Sequence, residues 1–156
     1  MSKRPSREDF RSFVRDVEPR LRVALVAACG SPKGLEATAV ALEYAWEHWE
    51  RMTSVSNPAG YLYRLGVRRS WRLRSPAVPL LWEVPSEDQV RAEPKLAPAL
   101  KHLSRQQRIT VVLIDGFEWT YQEVADLLEV GRSTVQQHHQ RALARLRDEL
   151  GVSVDV

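Results

Sequence analysis

Apolar residues recur at helical spacing along most of this chain, and the interruptions fall at glycine and proline. Phe10, Phe13, Val14 and Val17 lie three and four apart, the repeat that lines one face of an α-helix. Pro19 is expected to interrupt that run, after which Leu21, Leu25 and Ala28 continue the stripe. Gly30-Ser-Pro-Lys-Gly34 reads as a turn. A second helix is predicted over residues 35–49, with Leu42, Trp46 and Trp49 on related faces and both tryptophans assigned to the core. Asn57-Pro58 has the form of an N-cap followed by proline at the first helical position. The helix it opens holds Tyr61, Leu62, Leu65 and Trp71 and is expected to end near Arg74. No sustained period-two alternation bounded by turns is found, so strands are not expected.

The last third carries three Ser/Thr-x-x-Glu/Gln boxes, each just ahead of an amphipathic run. Ser104 with Gln107 predicts a helix to about Ile114. Thr120 with Glu123 predicts a second, with Val124, Leu127 and Leu128 inward. Ser133 with Gln136 predicts a third to about Leu150, with Val135, Ala142, Leu146 and Leu150 inward. Asp115-Gly116 and Gly131 supply the turns. Between the two helical stretches lie five of the nine prolines: Pro76, Pro79, Pro85, Pro94 and Pro98. Proline removes a backbone donor and restricts its predecessor, so this stretch is expected to be a semi-extended linker. The expected class is all-α: residues 1–74 as one small helical domain, 75–98 as the linker, and 99–156 as a second domain.

Charge sharpens this division. Residues 1–74 hold 14 Lys/Arg against 8 Asp/Glu, whereas 75–98 hold 2 against 4 and 99–156 hold 7 against 8, so the basic excess is N-terminal. Within the neutral C-terminal part, residues 131–147 still carry four arginines and no acid. Such patches mark a polyanion partner, although a solvated helix face gives the same pattern. Cys29 is the single cysteine, which excludes an intrachain disulfide and a cysteine zinc cluster. No run has the length of a membrane span and no signal peptide opens the chain, so a cytoplasmic location is expected.

The chemistry worth weighing is in residues 120–147. Two short helices joined by a tight, glycine-centred turn form the outline of a helix-turn-helix, whose second helix can lie in a DNA major groove. Its early side chains, Arg132, Ser133, Thr134, Gln136, Gln137 and His138, would face base edges. Arginine pairs bidentately with guanine and glutamine with adenine. Arg141 and Arg145, further along, would reach phosphates and fix register. The competing reading is a helical hairpin in a protein–protein domain. Enzyme signatures are missing: none of His48, His102, His138 and His139 forms a His-x3-His or His-Glu-x-x-His pair, and no phosphate-cradling glycine loop or nucleophile elbow occurs. No metal, cofactor or small-molecule substrate is expected.

These residues also carry a resemblance. Ala99-Leu-Lys-His-Leu-Ser-Arg-Gln-Gln-Arg108, the apolar run to Ile114, the Tyr121-x-Glu-Val-Ala125 helix and the closing Arg141-Ala-x-Ala-Arg-Leu146 look like region 4 of a bacterial sigma-70 family factor of the extracytoplasmic-function (ECF) group. Less closely, Phe10 through Leu25, Leu42-Glu-Tyr-Ala-Trp-Glu-His-Trp49 and Asn57-Pro-Ala-Gly-Tyr-Leu-Tyr-Arg-Leu65 resemble region 2 in the expected order. The resemblance implies promoter recognition and transcription initiation. Region 4 would bind the minus-35 element as duplex and touch the polymerase flap. Region 2 would bind the polymerase clamp and capture the melted minus-10 strand. The implied partners are promoter DNA and core RNA polymerase, with an anti-sigma factor or a partner sigma-like subunit in addition. No membrane is implied.

For the opened strand the expected residues are Tyr61, Arg64, Arg68, Arg69, Trp71 and Arg72, with Tyr63 and Arg74 beside them. Guanidinium groups follow a backbone, and aromatic rings stack on exposed bases at about 1–3 kcal/mol each. Core packing is the competing assignment for Tyr61. The chain departs from the family where Ala39 and Val40 replace a Gln-acid pair that helps grip the clamp. Arg68 and Arg72 stand where Asn and Asp are usual. His139 replaces a leucine on the buried stripe, where one hydrogen bond would satisfy it, while His138 should point outward. These departures keep open a sigma-like regulator that needs a partner to engage polymerase, and a protein-interaction module to which DNA is incidental.

Overall fold

Ser6 starts the first helix with a closed capping box: its hydroxyl accepts the Asp9 N–H at 3.2 Å and the Asp9 carboxylate accepts the Ser6 N–H at 2.8 Å. In this computed structural model, which describes residues 6–73, 77–78 and 95–151, the helix (α1) runs unbroken over Arg7–Cys29 with Pro19 inside it. The expected interruption does not occur. Proline deprives one carbonyl, that of Arg15, of its partner, and both residues lie on the exposed side where water can serve. The buried half of α1, Leu21 to Cys29, follows directly and keeps the helix continuous past the defect.

Gly30 follows, then a two-residue strand β1 (Ser31–Pro32) and α2 (Lys33–Glu47). Gly34 explains the turn's second glycine. A Cβ there would lie 2.4 Å from the Val26 Cα, so only glycine lets α2 start this close to α1. The inward face of α2 is Ala37, Ala41 and Ala45, all fully buried. Small side chains at i, i+4 and i+8 let α1 and α4 pack close on either side. The predicted second helix ends early: α2 stops at Glu47 and α3 (Trp49–Met52) follows as a single turn. Trp49 is half-buried with Phe10 and Phe13. Trp46 touches Phe10 at 4.9 Å but is 46% exposed, so its assignment to the core fails. Trp46 lies just past the buried Ala45, at the rim where α2 leaves the packed layer.

Asn57 caps α4 (Pro58–Ser70) as expected, its Oδ1 accepting the Gly60 N–H at 3.0 Å. The helix ends at Ser70, short of the predicted end; Arg74 and most of the proline-rich stretch lie outside the described residues. Within that stretch Ala77–Val78 (β2) pairs antiparallel with β1, a two-residue contact that periodicity could not reveal. The all-α class otherwise holds. Another helix, α5 (Leu96–His102), begins inside the expected linker; Pro98 sits in its first turn, where a missing N–H costs nothing.

The remainder is α6 (Arg105–Val111), a π-helical turn (Val112–Gly116), α7 (Tyr121–Leu128) and α8 (Arg132–Leu150). The capping boxes at Ser104–Gln107 and Thr120–Glu123 are both closed. One apolar cluster joins Ala99, Leu100, Leu103, Val111, Ala142 and Leu146. A larger one runs continuously from Leu21, Leu25 and Leu62 to Ile109, Leu113, Val124 and Val135. The two halves of the chain therefore pack against one another. Arg108 reinforces that contact: its Nε and Nη2 donate to the carbonyls of Ala27 and Ala28, each at 3.0 Å, capping the C-terminal end of α1. Burial, with Arg105 nearby, lowers the Arg108 pKa from its ordinary value.

Candidate nucleic-acid interface

The helix-turn-helix is built from α7 and α8. Its tight turn is centred on Glu129 rather than on glycine: Glu129 adopts the left-handed conformation (φ 52°, ψ 46°) and its N–H closes on the Ala125 carbonyl. Gly131 is extended and takes the cap position of α8. The predicted Ser133–Gln136 box is consequently not formed, because Ser133 is already inside the helix. Its side chain is left exposed, beside N–H groups that no side chain caps.

Packing fixes which way α8 faces. Val135, His139, Ala142 and Leu146 are buried at spacings of four, three and four, as the stripe predicted, and Leu150 is half-buried. The opposite face carries Arg132, Ser133, Gln136, Gln137, Arg141 and Arg145, all exposed. Thr134 and His138 sit at its margin, half-buried. Six of the eight residues expected to meet duplex DNA are thus exposed, spread around the part of α8 left open by the buried stripe. Arg145 also lies 3.6 Å from Glu149, one turn on. His139 makes two hydrogen bonds where one was expected: Nδ1 with the Tyr121 hydroxyl at 2.8 Å, and Nε2 with the Asp115 carboxylate at 2.7 Å. The π-helical turn carries Asp115 to that position, so α8 is tied by a polar clamp as well as by its apolar seam.

The expected strand-binding residues divide into two groups. Arg68 and Arg69 are exposed at the end of α4, where positive charge also suits the helix dipole. Trp71 and Arg72 follow immediately; Trp71 is 76% exposed, with the Arg105 guanidinium 5.7 Å from its ring. These four residues form one basic, aromatic ledge, within which the Arg69 guanidinium lies 5.2 Å from the Tyr44 ring. Arg105 was not foreseen as part of it, since only the packing of the two halves brings it there. The second group is engaged. Tyr61 is half-buried and its hydroxyl meets that of Tyr44 at 3.1 Å, a bond that raises the Tyr44 pKa. Arg64 pairs with Glu129. Tyr63 is buried, and burial raises its phenol pKa, so it packs rather than stacks on bases.

Polar links run between α7 and the N-terminal helices. The Arg20 Nη2 donates to the Glu123 carboxylate at 2.6 Å, and its guanidinium lies 4.9 Å from the Trp119 ring. That bond, with the backbone N–H of Thr120, holds the Glu123 carboxyl below the usual carboxylate range. Asn57 Nδ2 donates to the Asp126 carbonyl at 2.5 Å. Among the described residues no cluster of His, Cys, Asp and Glu could hold a metal, and no helix is long and apolar enough to cross a membrane.

Residues 95–146 match the family model for "Sigma-70, region 4". No curated protein matches the sequence. Among solved structures, the chain is similar to the sigma factor RpoE from Bartonella quintana, crystallised in complex with the anti-sigma factor NepR. The identity is 20% and the TM-score 0.66, over 94% of this chain and 99% of that one. Residues 95–146 thus match sigma-70 region 4, and the chain shares the fold of that solved structure.

Proposed function

We propose that this chain is a promoter-recognition subunit of bacterial RNA polymerase, a sigma factor of the ECF group acting in the cytoplasm. One observation carries the reading most: within the stretch that matches region 4, α8 buries Val135, His139, Ala142 and Leu146 and turns Arg132, Ser133, Gln136 and Gln137 outward. That face can pair with base edges of a minus-35 duplex, and Arg141 and Arg145 can meet its phosphates. The ledge of Arg68, Arg69, Trp71 and Arg72 offers charge and a stacking ring to an opened minus-10 strand. Tyr61 and Arg64 lie earlier on the same helix and would join that surface only once freed from Tyr44 and Glu129. Initiation on this reading takes no bond chemistry from the chain; affinity for unpaired bases favours the melted state. Residues 1–74 and 99–156 act as the two DNA-binding domains, joined by 75–98.

A second reading rests on the surface of α2. Exposed Ala39 and half-buried Val40 stand where the resemblance expects the polar pair that grips the polymerase clamp. On that reading the chain is a sigma-like regulator, or a co-sigma that engages polymerase only with a partner. The RpoE relative was crystallised with an anti-sigma factor, and we place such a protein among the partners of this chain as well. Run-off transcription with core polymerase and a promoter selected by binding separates the readings. Initiation by this chain alone supports the first, and initiation only with an added partner supports the second. Duplex binding that is insensitive to salt would sink both, since phosphate contacts impose a steep salt slope.

A further inference from the structure

Glu129 occupies a backbone position that favours a different residue. With φ at 52° it stands at the left-handed C-cap of α7, where glycine is the common choice and asparagine the usual alternative. A glutamate there carries the strain of a Cβ and gains nothing from helix capping, which uses only its N–H. What glutamate adds is a carboxylate, and the fold delivers it to Arg64: Oε2 lies 2.5 Å from Nη1. The contact is one of charge more than of direction. Nη1 is shut off from water, yet the oxygen lies off the line of its N–H, so no aligned hydrogen bond forms. A guanidinium so placed is neutralised but not fully satisfied.

Arg64 lies one helical turn before Arg68, so it shares a face with the exposed ledge. Among the described residues it is the one arginine of that row with an acid against it in the docked arrangement. The Asn57–Asp126 bond beside it fixes α7 over the start of α4. Carboxylate and phosphate oxygens compete for a guanidinium by the same charge-assisted contact. We infer that Glu129 is an internal substitute for a strand phosphate: it holds Arg64 while the halves are docked and must withdraw before Arg64 can take nucleic acid. The inference rests on the proposed role of α4 in strand capture.

Full-length protein carrying Glu129→Gln tests it. The amide keeps the size and backbone of the native residue and removes the charge. Binding of a fluorescent single-stranded DNA about a dozen nucleotides long is followed by anisotropy across a salt series. One more phosphate contact steepens the slope of log K against log salt by about 0.7, which is about a fivefold gain in affinity near 0.1 M salt. The double variant Arg64→Gln/Glu129→Gln should lose that gain, because Arg64 is the group released. Glu129→Gly should bind strands more tightly than native protein while melting no lower, since glycine suits the left-handed backbone. Equal affinity and slope for native protein and Glu129→Gln overturn the inference and leave strand capture standing. No single-strand binding by any form overturns both.

Discussion

Arg132 and Gln136 sit one turn apart on the open side of α8, and on the proposed function each reads a single base pair. Replacing either with alanine should cost about 1–3 kcal/mol at one promoter position and little elsewhere. Competition binding against a set of single-base variants of the duplex checks this, and a uniform loss over all sequences would place the residue on phosphate instead. His139 behaves differently because it faces inward. Its partners Tyr121 and Asp115 are only partly buried and can turn to water when released. His139→Leu, which fills the same space, should therefore change stability by less than about 1 kcal/mol. His139→Ala, which opens a cavity beside Val135 and Ala142, should cost about 2 kcal/mol or more. Thermal melting of both variants distinguishes a packing role from a hydrogen-bonding one. A histidine on a buried stripe was legible in the sequence, but its second partner was not. Asp115 reaches it only because the backbone widens into a π-helical turn, and no local residue pattern announces that.

At the scale of elements, capping chemistry made most boundaries readable. Asn57, Ser104 and Thr120 each bond the backbone three residues on, as their sequence context required. Where the expectation failed, a neighbour had already taken the role: Gly131 caps α8, so Ser133 does not. Pro19 failed as a helix breaker because burial of Leu21 to Cys29 after it, with Phe13 and Val17 partly packed before it, outweighs one lost backbone bond. The links between elements distant in sequence carry no such local signal. Arg108 contributes two charge-assisted bonds to the end of α1. Arg108→Ala should destabilise the fold by about 2 kcal/mol, measured by denaturant unfolding, because it leaves two helix-end carbonyls without partners. The Arg20–Glu123 pair makes its own prediction for pH. The Glu123 carboxyl is lowered in the folded chain, so its stabilisation is complete above the ordinary carboxylate range and is lost as pH falls through its folded value. Both side chains are substantially exposed, so the pair contributes about 1 kcal/mol or less. Arg20→Gln should flatten the acid limb of the stability curve, and an unchanged limb would assign the acid sensitivity to other carboxylates.

At the scale of the whole molecule, the docking of the halves sets a problem of distance. A chain of 156 residues, closely packed, has a radius of gyration of about 15 Å. Promoter elements named for positions 35 and 10 lie about 25 base pairs apart, roughly 85 Å along straight duplex at 3.4 Å per pair. The molecule as packed is a ruler too short for the interval it is proposed to measure. On the proposed function, simultaneous occupancy of both elements and contact between α7 and α4 exclude each other, and any agent that favours the folded-up form competes with a promoter by geometry alone.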